Sequence, residues 1–566
     1  MQLSLRKKIW QVRHTENSDS ILEVLLANRQ INNAEDFLEP DFETGLHNPF
    51  LMNEMQQAVD LLRRVRKDQQ RLMIVGDYDA DGITGTALLY ETFRAIGIKQ
   101  IMCRLPHRVH DGYGFQSHIT KEAIRDKVDV IVTVDNGVSS LDAIAFAKEH
   151  GISVIVCDHH TIPETLPEAD AILHPRREGE HYPFHELTGV GVAYKLAQAL
   201  CPRLMASKDA ERFLKWSLDL VAIGTVADCA TVTGENRILI KYGLVVIEKT
   251  RRPGLRNMLN LCLGSHPSYD SALIGFRIAP RLNAAGRISS PDTSLKLLTT
   301  RDLAEAERMA HELQDLNAKR QEQTVQAVHQ AKDFLQDDLL QEKILIARHR
   351  SWHPGIIGLI AGRLTEEFHR PSIIFHDGED GTLVASARST EHFNIIEAIS
   401  RQKDLLLRFG GHSQAAGCSI ARENYDTFCR RMKTLANASL SEEQLFPIVD
   451  IDCELAPEHM SLAVKQQIDR LEPYGIGNVR PVFLLRNVRV QRLHPVGRTG
   501  AHLQIWVESA QKTIKGIAFQ QGGLAQELSQ GDLVDIACHL QENNWNGTHS
   551  LEIEVVDIQQ RSERSE

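Results

Sequence analysis

No run of about 18 consecutive apolar residues occurs anywhere in the chain, so no membrane-spanning helix is expected and no membrane partner. Met1 to Arg13 is polar and basic without an apolar h-region, and gives no sign of secretory targeting. The nine cysteines contain no CxxC pair. Their odd number and irregular spacing speak for reduced thiols in the cytoplasm and against a zinc ribbon. Positive charge is also in deficit. A net charge of −11 does not advertise a nucleic-acid binder, so any polyanion must be met by a local basic patch. There is no low-complexity tract and no internal repeat. What remains is ordinary for a soluble globular protein: 42% hydrophobic and 25% charged residues. A length of 566 residues is too great for one core and implies roughly two to four domains.

The densest chemistry lies in Ile74-Val75-Gly76-Asp77-Tyr78-Asp79-Ala80-Asp81-Gly82-Ile83-Thr84-Gly85. Leu72 to Val75 reads as a short buried strand, and Gly82 and Gly85 open a helix. Three aspartates at alternate positions repel one another unless a cation sits among them. An EF-hand does not fit, because its twelfth position would be Leu88. Taken alone, the run is as easily an Asp-rich surface turn.

Further acids and imidazoles follow at equivalent places. Val130 to Val134 ends at Asp135-Asn136-Gly137, Ser153 to Cys157 ends at Asp158-His159-His160, and the apolar run Leu218 to Ala227 ends at Asp228. Between these runs lie helical patterns. Such alternation implies a parallel sheet, whose ligands gather at the carboxyl ends of its strands. Singly, Asp135-Asn136-Gly137 is a turn and Asp228 a cap. Together, Asp77, Asp79, Asp81, Asp135, His159 and Asp228 form a ligand set. Carboxylates with one or two imidazoles suit Mn²⁺ or Mg²⁺ better than zinc, and there are enough for two ions.

Asp77-Tyr78-Asp79-Ala80-Asp81-Gly82, Val134-Asp135-Asn136-Gly137 and Asp158-His159-His160 resemble the signature of the DHH phosphoesterase superfamily. The rest of the chain resembles its RecJ-like branch, bacterial 5′→3′ exonucleases specific for single-stranded DNA. The resemblance runs from about residue 20 to 560. It implies catalysis by Asp79, Asp81, Asp158 and His160, the last two orienting the metal-bound imidazole.

It also implies a DNA channel. In Pro106-His107-Arg108 and Asp111-Gly112-Tyr113-Gly114, Arg108 would hold phosphate and Tyr113 would stack on a base. Arg277 to Ser289 contains three arginines and little acid, and matches a RecJ-like PRxNAAGR motif. Arg277, Arg281, Asn283 and Arg287 would there clamp phosphate. The alternative is a solvated basic loop. Gly189-Val190-Gly191-Val192-Ala193 starts a helix and is expected to serve close backbone packing rather than phosphate binding.

The expected architecture is α/β: a parallel-sheet DHH domain and a second, DHH-associated α/β lobe joined by a long helix, plus a C-terminal β-barrel of OB type. Residues 1–70 are expected to be helical and to pack on the DHH domain, 71–300. Residues 301–340, charged and free of Gly and Pro, form the helical connector. In the lobe 341–445, His353, Ser386, Arg388, Gly410, Gly411 and His412 fall in substrate-binding motifs, with Ser386 and Arg388 implied to recognise a terminal 5′-phosphate. Short alternating runs over 446–560 suggest the barrel, with Trp506 and Phe519 expected in its core.

The implied activity is two-metal hydrolysis of single-stranded DNA to 5′-mononucleotides, in recombination and repair. The chain would act as a monomer, with a helicase and a single-strand-binding protein as family partners. Two alternatives stand beside it: a DHH phosphodiesterase for short oligonucleotides or cyclic dinucleotides, and a catalytically silent DHH replication scaffold.

Overall fold

The computed structural model describes residues 3–14, 20–108, 111–112, 114–264, 268–336, 338–509, 512–545 and 548–560. The alternating first part of the chain forms a five-stranded parallel sheet, ordered Ile101–Arg104, Leu72–Val75, Val130–Val134, Ser153–Cys157, Ala171–Leu173. Leu72–Val75 and Val130–Val134 are buried at every position, as strands covered by helices on both faces must be. The two-residue period divides them. Leu72, Ile74, Val130 and Val132 join one apolar cluster, and Met73, Val75 and Ile131 another. The loops after Val75, Val134 and Cys157 therefore open at one edge. Asp228 arrives by another route. Leu218–Ala227 is a helix, and every residue from Leu218 to Thr225 is buried. Its one internal acid, Asp219, is neutralised by Arg252 at 2.9 Å.

Leu303–Leu335 is a single helix of 33 residues, about 50 Å long at 1.5 Å per residue. Met309, Ala310 and Leu313 pack on the first lobe, while Ala327, Val328, Ala331 and Leu335 pack on the second. The second lobe carries a mixed sheet ordered Leu406–Gly411, Ala415–Ala421, Thr382–Arg388, Ser372–Asp377, Leu345–His349.

The C-terminal strands close into a five-stranded barrel: Phe483–Val496, His502–Ser509, Lys512–Ala518, Thr548–Gln560, Leu533–Trp545, and back to the first. Lys512–Ala518 and Thr548–Gln560 run parallel and the other neighbours antiparallel, which is an OB-type arrangement. Two expected short strands at 482–485 and 488–493 merge into Phe483–Val496, with a register irregularity between Leu485 and Val488. Trp506 and Phe519 are not core residues. Leu503, Ile505 and Val507 point inward, so Trp506 faces outward, stacked with His494 at a centroid distance of 5.3 Å. Phe519 is half exposed just past a strand end.

The N-terminal expectation is corrected. Residues 1–70 do not pack as one helical unit on the first lobe. Ile9–His14 is a strand, paired in parallel with Ile448–Glu454 beside the barrel. Ile21, Val24, Leu25, Leu26 and Leu38 enter the barrel's apolar cluster, and from Phe42 onward the segment joins the first lobe. Helical spacing shows that a face will be buried, not against which partner.

One side chain ties the barrel to the first lobe. Arg237, on the helix Gly234–Glu248 that follows Asp228, donates to the carbonyls of Phe37, Leu471, Pro473, Arg470 and Glu472 at 2.8 to 3.3 Å. Burial lowers its pKa to about 10, so it stays a cation at neutral pH. Hydrogen bonds to a charged donor are worth about 1.5–3 kcal/mol each, and orphaned carbonyls add to the loss. R237M is expected to raise hydrogen exchange at amides 471–478 roughly tenfold or more. Unchanged protection there would show that the tie does not hold the barrel.

Candidate metal centre

The loop after Val75 is shaped by glycine and by helix capping. A Cβ on Gly82 would lie 2.5 Å from the Asp77 backbone nitrogen, so only glycine lets the helix start against Asp77. Asp79 is the N-cap of Ala80–Ala95. Its Oδ1 accepts from the amides of Asp81 and Gly82 at 3.1 and 3.2 Å. Asp81, the second residue of that helix, is buried and accepts from the amides of Gly189 and Val190 at 2.6 and 2.9 Å. These are the first amides of the helix Gly189–Leu204, whose end favours a negative charge.

Asp135 stands at φ +63°, a left-handed conformation that turns its carboxylate back over the strand ends. Asn136 fixes that turn by donating to the carbonyls of Val134 and Val75 at 2.8 and 3.2 Å. His159 Nε2 lies 3.0 Å from Asp135 Oδ1, 3.8 Å from Asp81 Oδ2 and 3.7 Å from Asp228 Oδ2. Asp158 points the other way. It accepts from the amides of Val138, His159 and His160 and from His160 Nδ1, the last at 2.8 Å. Three sets of ligand atoms each lie within 4.8 Å of one another: Asp77, Asp79 and Asp135; Asp81, His159 and Asp228; and Asp135, His159 and His160. Asp135 and His159 each belong to two sets.

The charges conflict without a cation. Burial and the neighbouring Asp79 raise Asp77 well above the carboxylate range and Asp81 to about 7. Burial with Asp81 and Asp79 raises Asp135 strongly and Asp228 to about 8. Burial, reinforced by the His160 charge, holds His159 down to about 3, in the neutral form that ligates metals. Against its own burial, Asp158 is brought down to about 2 by the His160 hydrogen bond, and lifts His160 to about 9. A hard divalent cation satisfies such a donor set: oxygen-rich, with neutral imidazole and no thiolate.

Beyond the acids the lining turns basic. Arg108 sits over the Tyr78 ring at 5.2 Å. The segment with three arginines is helical, not a loop: Ile274–Ile278 is a π-helical turn leading into Ala279–Ile288. Arg287 is partly buried, with Nε buried and unpartnered and Nη1 3.3 Å from the Gly355 carbonyl of the second lobe. Burial, with Arg108 and Arg320 nearby, lowers its pKa to about 9. Ser386 and Arg388 share the strand Thr382–Arg388, with Arg388 Nη1 3.3 Å from Ser386 Oγ. A Cβ on Gly358 would come within 2.9 Å of that oxygen. His353 Nδ1 accepts from the Gly355 amide at 3.0 Å.

Gly410, Gly411 and His412 form an exposed hairpin, in which a Cβ on Gly411 would stand 2.4 Å from the Ala415 carbonyl oxygen. Arg408 on the same strand lines a cleft of about 370 Å³ together with Asn136, Asp158 and His160. Arg277 and Arg281 are engaged elsewhere, with Cys262 O and Gln314 Oε1, each at 2.7 Å. Asn283 keeps a buried, unpartnered amide oxygen. Tyr113 lies outside the described residues.

Sequence reasoning missed three contributors. Gly189 does serve close packing, since its Cβ would meet Asp135 at 2.5 Å, but its amide also holds Asp81. Arg320, from the connector, and Arg363, from the helix Ile357–Phe368, line a separate cleft that meets this lining only at Arg388. Thr188 ahead of Gly189 was the available signal for the first, as an N-cap. Nothing local marks the other two.

Three family descriptions match in order along the chain: the DHH family, N-terminal domain, at residues 71–225; the DHHA1 domain at 341–438; and the RecJ OB domain at 451–557. The single-stranded-DNA-specific exonuclease RecJ of Dickeya dadantii is 35% identical over 96% of this chain and 97% of its own length. That of Bacillus subtilis is 32% identical over 94% and 67%. The crystal structure of RecJ in complex with Mn²⁺ from Thermus thermophilus has a TM-score of 0.83 at 30% identity, covering 98% of this chain and 80% of that one. The complex with Mg²⁺ has a TM-score of 0.77 at 29% identity, covering 98% and 79%.

The raised acids fix a sign. The folded state holds protons on Asp81 and Asp228 up to about 7 and about 8, where the unfolded chain has released them. His160, raised to about 9, acts in the same direction. Metal-free stability should therefore fall as pH rises from about 6.5 to 8. Mn²⁺ binds the ionised acids, so its stabilising effect should grow over the same range. Unfolding midpoints after EDTA treatment, with and without Mn²⁺, check both. A Mn²⁺ effect independent of pH would count against these carboxylates as ligands.

Proposed function

Because the chain belongs to the RecJ family of DHH phosphoesterases, we propose that it is a single-stranded-DNA-specific exonuclease that works 5′→3′ and releases 5′-mononucleotides. The observation that carries this is the juxtaposition, at one sheet edge, of a carboxylate–imidazole centre with the arginine-lined second lobe. Two divalent ions, Mn²⁺ or Mg²⁺, held by Asp77, Asp79, Asp81, Asp135, His159 and Asp228, would supply an activated water and neutralise charge building on the scissile phosphate.

The protein's own groups do the positioning. The Gly189 and Val190 amides aim Asp81, and Asp135 keeps the His159 ring in place. Asp158 holds His160 protonated beside the cleft, where the imidazolium donates to a phosphate oxygen. Ser386, Arg388 and Arg287 seat the terminal 5′-phosphate. Arginine suits that task because its planar fork matches phosphate oxygens. With the end held there, the P–O3′ bond of the first nucleotide lies over the acids. Its cleavage leaves a 3′-hydroxyl on the released mononucleotide and a new 5′-phosphate on the shortened strand.

The barrel supports a polymeric substrate, since OB folds suit single strands, and the outward His494–Trp506 stack is available to bases. A phosphodiesterase for dinucleotides would leave that barrel unused. A silent scaffold would not need the whole acid and imidazole set. The reading places the chain in DNA recombination and repair, fed by a helicase and a single-strand-binding protein. The connector buries Met309, Ala310 and Leu313 against the first lobe and Ala327, Val328, Ala331 and Leu335 against the second, and its exposed apolar residues, Leu303, Val325 and Phe334, are widely spaced, so a monomer is our reading. Nine free cysteines fit the cytoplasm, and among the described residues no helix is long and apolar enough to cross a membrane.

D81A is expected to abolish cleavage with the fold retained, read by circular dichroism alongside nucleotide release. The unmutated protein should cut 5′-phosphorylated strands about tenfold faster than 5′-hydroxyl strands. R388A should erase most of that difference. Equal cutting of both ends by the unmutated protein would sink the end-pocket assignment.

A further inference from the structure

The arginines do not stop at Arg388. Beside it, a cleft of about 330 Å³ opens between the connector helix and Ile357–Phe368. That is the space of roughly ten water molecules. The connector contributes Arg320, Gln321 and Thr324; the facing helix contributes Gly358, Gly362 and Arg363; and Arg388 forms its inner wall. Arg320, Arg363 and Arg388 form no ion pair with any carboxylate among the described residues. Arg320 Nε is buried without a partner, while Nη1 donates to the Pro280 carbonyl at 3.2 Å. Burial and the charges of Arg363 and Arg281 together disfavour its protonated form. Glu366 is the single acid among the lining residues. Gly358 and Gly362, four residues apart, keep that helix face bare beside Arg388.

A cationic cleft that repels itself calls for a multivalent anion, and this one opens directly beside the seat for the 5′-phosphate. We propose that it receives the outer phosphates of a 5′-di- or triphosphorylated single strand. This rests on the reading of Ser386 and Arg388 as the 5′-phosphate seat. Arg388 spans both spaces, so a terminal phosphate resting on it directs its outward oxygen into the cleft. Arg363 and Arg320 then meet the second and third phosphates with charge-assisted hydrogen bonds. The chemistry at the acids is unchanged. Water adds across the same P–O3′ bond, its oxygen stays on the new 5′-phosphate and O3′ takes a proton. The first product then keeps all the original end phosphates and leaves as a nucleoside triphosphate, and later products are monophosphates.

The test uses the full chain with Mn²⁺ and one oligonucleotide sequence bearing a 5′-hydroxyl, 5′-monophosphate or 5′-triphosphate. Initial release of the first nucleotide gives KM for each, and chromatography identifies the product. The triphosphate strand is expected to show a KM about tenfold below that of the monophosphate strand, with a nucleoside triphosphate as its first product. R363Q should return the triphosphate KM to the monophosphate value and leave the monophosphate KM within about twofold. R308Q, which removes a charge further along the connector helix, should leave the ratio of the two intact.

A triphosphate strand that is left uncut, or has a KM no lower than the monophosphate strand, overturns the proposal. So does an R363Q variant that raises both values equally. If the hydroxyl and monophosphate strands behave alike in the unmutated protein, the seat itself is wrong. If monophosphate beats hydroxyl but triphosphate does not beat monophosphate, only the extension fails.

Discussion

Mutual repulsion among buried carboxylates is the constraint on which the rest of the structure depends. Asp77, Asp81, Asp135 and Asp228 are all raised by burial and by neighbouring carboxylates, Asp79 among them in every case. Such a cluster survives folding only if the surrounding backbone places each acid and if the charge is offset. The backbone does the first through helix caps, the Gly189 and Val190 amides, and a left-handed Asp135. Protons do the second in the metal-free protein, and divalent cations in the working one. The parallel sheet brings its strand ends to one edge, and that edge becomes the centre.

Opposite charge is then laid out across a lobe boundary. The first lobe supplies the acids together with Arg108 and Arg287, and the second lobe supplies Arg388 and Arg408. A chain of net charge −11 can therefore meet a polyanion locally, because these arginines lie together across the lobe boundary. The connector helix makes this possible. It is packed on both lobes, so it holds them at a set separation, and it contributes Arg320 to the cleft beside Arg388.

Much of the centre was legible because it is local. Apolar runs that end in acid mark strand ends in a parallel sheet, and Asp79, Asp135 and His159 follow from that pattern alone. The apolar run before Asp228 is a buried helix, so that acid reaches the centre without a strand. Trp506 was misplaced because strand alternation has two phases, and only pairing with Lys512–Ala518 and Phe483–Val496 selects which one faces inward. The segment at residues 277–289 was recognised by its arginines, yet two of them proved to be engaged with Cys262 and Gln314.

The sequence by itself determined most of the elements, the order of the lobes, the acid and imidazole donor types and the family. These depend on residue type and short-range spacing. Tertiary structure alone decided that residues 9–14 and 21–38 pack with the barrel, that the Gly189 amide holds Asp81, and that Arg320, Arg363 and Arg388 share one cleft. In each case the partners are far apart in the chain. Periodicity reports that a face or a charge needs a partner; only packing of the whole molecule, through long-range burial and charge, selects which partner it meets.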